Sequence, residues 1–239
     1  MADGENDRSQ KPLRLGRKPG DNDTAEIILN AAEAEFAANG YDKTSLAQIT
    51  DAANVTTAMI RYYFGSKEGL FTAVVKRRGD VMRDERMRLL NELESRPGQP
   101  PTVEELIRAY VLPVVDTRRQ GPGGYAYLRL QARLLVEDTP LAEELRRYVY
   151  GASVLRFIEA FQRALPHFDI DTIYWRLGMM IGGYFYMLAG TSHLEFYSGG
   201  NFSTDDLDNS IAQMVVYFDA AMKAPPAKTV RLHASETSS

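Results

Sequence analysis

The sequence predicts an all-α protein: a small N-terminal three-helix helix-turn-helix unit, then a larger helical domain, about nine helices in all. Three observations predict it. Apolar residues recur at the three- and four-residue spacing of a helix face almost throughout, alternating strand patterns are nearly absent, and Gly, Pro and capping residues punctuate the periodic stretches. With 239 residues and 44% hydrophobic content, the chain can bury a sizeable core.

Residues 1–20 are expected to form a disordered basic arm, because "KPLRLGRKPG" sets Lys11, Arg14, Arg17 and Lys18 among prolines and glycines with no acid between them. The first helix is expected from Asp23 to Asn39, with Asp23 and Glu26 at capping-box spacing, Ile28, Ala32 and Phe36 on one face, and Gly40 as the stop. A second starts at Ser45, where Ser45 and Gln48 repeat the capping spacing, and ends near Ala53. The third is short, from Thr56 or Thr57 to Phe64. Ser66 caps a fourth, which runs to about Glu94 before "SRPGQPPT" stops it. Further helices are expected at roughly 102–118, 124–137, 140–164, 170–197 and 204–223, with Thr139–Pro140 and Ser203 with Asp206 as starts. These boundaries divide the chain into the arm at 1–20, a small helical domain at 21–80, a larger helical domain at 81–224, and a polar, disordered tail at 225–239.

The composition limits the function. A net charge of -4 opposes indiscriminate coating of nucleic acid, which depends on phosphate neutralisation, so any contact with DNA must be local. The absence of cysteine removes disulfides, thiolate nucleophiles and cysteine metal ligands, and suits a reducing cytoplasm. The opening "MADGENDRSQ" has no signal-peptide core, and the most apolar run, Leu177 to Gly190, is shorter than the roughly 20 residues that span a bilayer. Cytoplasmic location without a membrane span is expected. His167, His193 and His233 are scattered, and no metal-binding, nucleophile-elbow or phosphate-loop spacing occurs, so no enzyme, metal or cofactor is expected.

The stretch "NVTTAMIRYYFGSK" carries the function. Leu46, Ile49, Ala53, Val55, Ile60 and Phe64 can pack beneath the first helix, which turns the other side chains of the third helix outward. Thr57, Arg61 and the Ala58–Met59 edge then meet base edges in a major groove, where arginine pairs with guanine and threonine or methionine contacts a thymine methyl. Thr44, Tyr63 and Lys67 stand where hydroxyls, an amine and helix-start amides hold phosphates. Ser45, Gln48, Thr56 and Tyr62 complete the expected contact set, although Tyr62 also reads as a partly buried aromatic beside Ile60 and Phe64. Residues 21–80 hold nine acids against six bases, which opposes DNA binding; Arg14, Arg17 and Lys18 of the arm partly restore it by reaching into the adjacent minor groove.

The run "ILNAAEAEFAANGYDKTSLAQITDAANVTTAMIRYYFGSKEGLFTAVV", Ile28 to Val75, resembles the DNA-binding domain of the TetR family of bacterial transcriptional regulators. The resemblance implies an all-helical homodimer whose first three helices bind DNA and whose larger domain holds an inducer and the dimer interface. It places Thr44, Thr57, Tyr63 and Lys67 at family DNA-contact positions, and Arg61 where many members carry tyrosine. "DTIYWRLGMMIGGYFYMLAG", preceded by "FIEAFQRALPHF", is similar to the C-terminal domain of the fatty-acid-responsive, PsrA-type branch. That likeness implies an elongated, apolar inducer such as a fatty acid or acyl thioester.

In the second domain, aromatic and methionine side chains at helical spacings supply core and cavity volume. Tyr127, Leu130, Leu134, Phe157, Phe161, Trp175, Met179, Gly183, Tyr184 and Met187 are the expected pocket lining, since methionine adapts to irregular shapes and pockets form between bundled helices. Arg129, Arg133, Arg176 or His193 can anchor an acidic head group, or serve in salt bridges. Leu207, Ile211, Met214, Val215, Phe218 and Met222 form one stripe that either meets a second subunit or seals the subunit's own core. Two functions are compatible with these features: a ligand-responsive DNA-binding repressor, or a small-molecule carrier on the same scaffold that does not read DNA.

Overall fold

The computed structural model describes residues 21–190 and 192–226, so the basic arm with Arg14, Arg17 and Lys18, and most of the tail, lie outside the described residues. Within the described residues the chain forms ten helices and no strand. They are α1 (Asp21–Lys43), α2 (Leu46–Ala53), α3 (Thr57–Phe64), α4 (Lys67–Glu94), α5 (Val103–Arg119), α6 (Pro122–Val136), α7 (Pro140–Ala164), α8 (Ile170–Ala189), α9 (Ser192–Tyr197) and α10 (Leu207–Lys223).

Most boundaries follow from capping chemistry. Ser45 and Gln48 close a reciprocal box at the start of α2, Thr102 and Glu105 do so at α5, and Ser66, Thr139 and Asp169 each accept a backbone N–H at the starts of α4, α7 and α8. Three expectations change. The helix expected over 170–197 divides at Gly190 into α8 and α9. The start expected at Ser203 falls at Asp206, whose side chain accepts from Asn209 N–H at 3.0 Å, while Ser203 Oγ accepts from Asp205 N–H in the preceding turn. α1 already runs at Asp21, so Asp23 lies inside the helix and not at its cap. Gly40, the expected stop, does break that helix: its φ of 79° and ψ of 172° are a conformation open essentially to glycine alone.

Two hydrophobic cores result. One joins the second half of α4 to α5, α7, α8 and α10 through Met82, Leu90, Tyr110, Phe157, Phe161, Tyr184 and Phe218. The other lies under the N-terminal helices around Ile28, Phe36, Ile49, Ile60, Phe71 and Val74, and it also takes in Leu130 and Leu134 of α6 and Leu145 and Val149 of α7. The N-terminal domain is therefore seated on α6 and α7. Each fully buried large apolar side chain stabilises the fold by about 1.5–3 kcal/mol.

Polar bonds fix the same junction. Glu33 of α1, fully buried, accepts from Arg77 Nη2 at 2.8 Å and from Arg78 Nε at 2.9 Å on α4, and Arg78 also donates to Gln120 at the end of α5. Arg133 of α6 donates to Ala38 O of α1 at 2.9 Å. Gly79 of α4 is required by close approach, since a Cβ there would sit 2.9 Å from Tyr127 Oη and from a Val149 methyl.

Replacing Glu33 with Gln removes a buried charge from two arginines that keep some contact with water. We expect a loss of about 2–3 kcal/mol of stability, below the cost of breaking a fully buried pair, measured by urea unfolding.

Candidate nucleic-acid interface and the second domain

The turn between α2 and α3 depends on Asn54, which caps α2 in the left-handed conformation (φ 50°, ψ 49°), a region that asparagine, among non-glycine residues, visits readily. Val55 N–H then donates to Thr50 O at 3.0 Å and the chain turns into Thr56, the N-cap of α3. Ile49, Ala53 and Ile60 are buried, with Leu46, Val55, Met59, Tyr63 and Phe64 packed around them. Thr56, Thr57, Ala58, Arg61 and Tyr62 are left exposed on the outer side.

Individual residues divide by environment. Thr57 and Ala58 occupy the first turn of α3, where backbone N–H groups have no helical acceptor and suit an anion. Arg61 is exposed and pairs with no acid among the described residues. Tyr62 is 74% exposed, its ring 4.9 Å from that of Tyr63, and so is not the partly buried core aromatic that its neighbours suggest; helical rotation carries it away from Ile60. Thr44 is the residue removed from the surface: it is 1% exposed, and its hydroxyl donates to Gly40 O at 2.7 Å. Ser45 and Gln48 are exposed, but their side chains are engaged in the α2 capping box. The Lys67 ammonium lies 4.4 Å above the Tyr41 ring, with Asp42 O at 3.4 Å, beside the start of α4.

The expected ligand residues do not converge. Tyr127, Leu130, Leu134, Phe157, Phe161 and Tyr184 are closed inside the two cores. Trp175 (71% exposed) and Met179 face solvent on the outer side of α8, and Gly183 and Met187 line a groove of about 350 Å³ against α10. A larger, almost wholly apolar groove of about 630 Å³ runs between α6 and α8, with Ala132, Leu135, Ile181 and Phe185 in its wall. Of the proposed anchors, Arg176 donates to Ala224 O at 2.6 Å and also to Met222 O, Arg133 is held by α1, and Arg129 and His193 are exposed.

The α10 stripe turns inward. Met214, Val215, Phe218 and Met222 are buried in the subunit's own core, and Leu207 and Ile211 pack against it, because α5 and α8 offer the apolar surface that this face needs. The surface left over is the neighbouring one: Tyr174, Trp175, Met179 and Tyr186 of α8, with Val216 and Tyr217 of α10, are all exposed.

One buried residue was not singled out from sequence. Arg86 of α4 is 1% exposed in the middle of the second domain, where Nε donates to Tyr110 O at 2.9 Å, Nη2 donates to Tyr184 Oη at 3.2 Å, and the guanidinium carbon lies 4.0 Å from the Tyr110 ring centre. No carboxylate pairs with it among the described residues. Its signal is positional: in the charged run "RRGDVMRDERMRLL", only Arg86 stands four residues from both Met82 and Leu90, on the core face.

A helix-turn-helix with a wet recognition face, mounted on a larger helical domain with apolar grooves, defines a DNA-binding regulator of the ligand-responsive kind. Residues 28–74 match the family model described as bacterial regulatory proteins, tetR family, and residues 108–221 match the tetracyclin repressor-like, C-terminal domain. The chain belongs to the TetR family of transcriptional regulators. Among solved structures it is similar in fold to HlyIIR, a hemolysin II transcriptional regulator, at 22% identity and a TM-score of 0.56, over 83% of this chain and 98% of that one. A likeness to Salmonella enterica GusR has 18% identity and a TM-score of 0.51, over 84% and 93%. Comparison with curated proteins returned no match. Among the described residues no helix is long and apolar enough to cross a membrane.

The division of α3 into a wet and a dry face is checked by truncation. Tyr62→Ala should change stability by no more than about 0.5 kcal/mol, whereas Ile60→Ala should cost about 2–5 kcal/mol, both by thermal or urea unfolding.

Proposed function

We propose that this regulator is a homodimeric repressor, acting in the cytoplasm, whose two α3 helices enter successive major grooves of an operator and which an apolar small molecule releases. The observation that carries the DNA reading is the outer face of α3, where the Arg61 guanidinium stands exposed and without an acid partner among the described residues, between the first-turn amides and Tyr62. A surface arginine held by an acid would have to surrender that bond to reach guanine. Thr57, Ala58, Met59, Arg61 and Tyr62 are proposed to touch bases, with Thr56, Tyr63 and Lys67 on phosphates. The basic arm, through Arg14, Arg17 and Lys18, is proposed for the minor groove.

The outer face of α8 and α10 supports the dimer. Gly178 and Gly182, which also wall the α6–α8 groove, have nothing within 4 Å of an added Cβ, so a second copy of the helix can approach closely there and close the mouth of that groove over its occupant, flanked by Trp175, Met179 and Tyr217. Two α3 helices in one such dimer must reach half-sites about 34–36 Å apart, or a multiple. An apolar inducer, a fatty acid or acyl thioester in the reading from sequence, has an apolar groove in the α6–α8 face and aromatic surface around it. By linkage, operator DNA must weaken inducer binding by the same factor that inducer weakens DNA binding.

Gel shifts with the DNA upstream of the chain's own coding sequence test the central claim; a chain that retards no such DNA is a carrier and not a repressor. Arg61→Ala should weaken specific binding by about 1–3 kcal/mol and relax preference at one base pair. Lys67→Ala should weaken all sequences alike and reduce the salt slope by about 1. For the dimer, Gly182→Arg adds a charge where the subunit itself has open space, so the fold should persist while sedimentation reports a monomer. A dimer that survives that substitution removes the α8 interface.

A further inference from the structure

The charge on Arg86 has no counter-ion among the described residues. Its two acceptors, Tyr110 O and Tyr184 Oη, are neutral. Burial pushes the phenols of Tyr110, Tyr127, Tyr150 and Tyr184 upward, so they remain hydroxyls at physiological pH and no phenolate neutralises the guanidinium. The acids nearest along α4 are engaged elsewhere, Asp80 and Asp84 with Arg83 and Glu85 with Arg88. A methionine or leucine at this position would fill the space between Met82 and Leu90 without the desolvation penalty that a lone buried cation carries. Packing therefore gives no reason for an arginine here.

Unused hydrogen-bonding capacity surrounds it. Tyr150 Oη and Gln131 Oε1 are buried with no hydrogen-bond partner, whereas the adjacent Gln131 Nε2 donates to Tyr127 Oη at 2.6 Å and Tyr127 Oη donates to Val75 O at 3.0 Å. A buried hydroxyl left unpaired, at Tyr150, beside a cation with no counter-ion is the complement of an anion.

We propose that Arg86 is the counter-ion for the carboxylate of an apolar ligand whose hydrocarbon part occupies the groove between α6 and α8. This rests on the reading of the chain as a ligand-responsive regulator and specifies the ligand's head group. A carboxylate fits better than a phosphate: one guanidinium balances one negative charge, its planar fork matches two coplanar oxygens, and two tyrosine hydroxyls can donate to the remaining lone pairs. A neutral ester or thioester leaves the charge as it is. The route is defined by Phe185, which lines the α6–α8 groove and whose ring centre lies 4.6 Å from that of Tyr184, the phenol bonded to Arg86. In this proposal the Phe185 ring moves aside so that the carboxylate passes from the groove to the guanidinium. Drawing Arg86 away from Tyr110 O then loosens α4 from α5, and α4 is the helix that follows α3 directly.

The test uses the full chain with octanoate and 4-phenylbutanoate as probes and their methyl esters as neutral controls, binding being measured by calorimetry and by the shift in unfolding temperature. At least one acid should bind at least tenfold more tightly than its ester. Arg86→Gln should reduce that acid to the affinity of its ester without changing the ester, and Arg86→Lys should recover part of the difference. Equal affinity of acid and ester, no binding by either acid, or undiminished acid binding in Arg86→Gln overturns the proposal. Should Arg86→Gln fail to fold, Tyr150→Phe removes a hydroxyl that has no bond to lose. It should weaken the acid several-fold and spare the ester, and unchanged acid affinity there counts equally against the proposal. Retardation of the upstream DNA, measured without probe, separates the two levels: DNA binding with no preference for acids sinks only the head-group assignment, and acid binding through Arg86 without any DNA binding sinks only the regulator reading.

Discussion

One helix, α4, belongs to both hydrophobic cores, and the organisation of the molecule depends on that sharing. Leu70, Phe71, Val74 and Val75 close the core beneath α3, while Met82, Leu90 and Leu93, about two to five turns beyond Val75, close the core of the second domain. An α-helix is too stiff to bend freely between those two sets. Displacement at one end is therefore felt at the other, and the Glu33 bridges to Arg77 and Arg78 stand at the point where the two cores meet. Packed interfaces of this kind hold discrete arrangements and do not deform continuously.

The same junction explains how an acidic domain can present the proposed DNA-reading face. The surplus of acids in residues 21–80 is a count along the chain, and the fold spends several of those acids on its own bonds. Glu26 and Glu33 bind arginines of α4, and Glu35 accepts from Asn39 within α1. The exposed side of α3 carries Arg61 and no acid. What matters for a phosphate backbone is the local field, which the net charge conceals.

Much of the fold was legible because it depends on short-range chemistry. The α2 box of Ser45 and Gln48, the caps at Ser66 and Thr139, and the breaks at "SRPGQPPT" and "GPGG" act within a turn or two of chain, so spacing alone locates them. The buried set under α3 followed from helical period in the same way. Where expectation and structure part, a longer-range contact decides. Tyr62 has the composition of a core aromatic but the rotation of a surface one, Thr44 has a surface type of side chain but bonds back to α1, and the α10 stripe is apolar enough for either a partner or its own core.

By itself the sequence determined that the chain is helical, that residues 45–64 form a helix-turn-helix, and that Ile60 faces the core while Thr57 and Arg61 face outward, because propensity, capping and period are properties of residues a few positions apart. Only the tertiary structure decided which aromatics are enclosed, that the outer face of α8 and not the α10 stripe is left uncovered, and that Arg86 is buried with no carboxylate partner among the described residues. Those facts depend on which residues from distant helices come to stand around a given side chain. A linear pattern records the face a residue occupies, but not what the opposite helix brings to meet it.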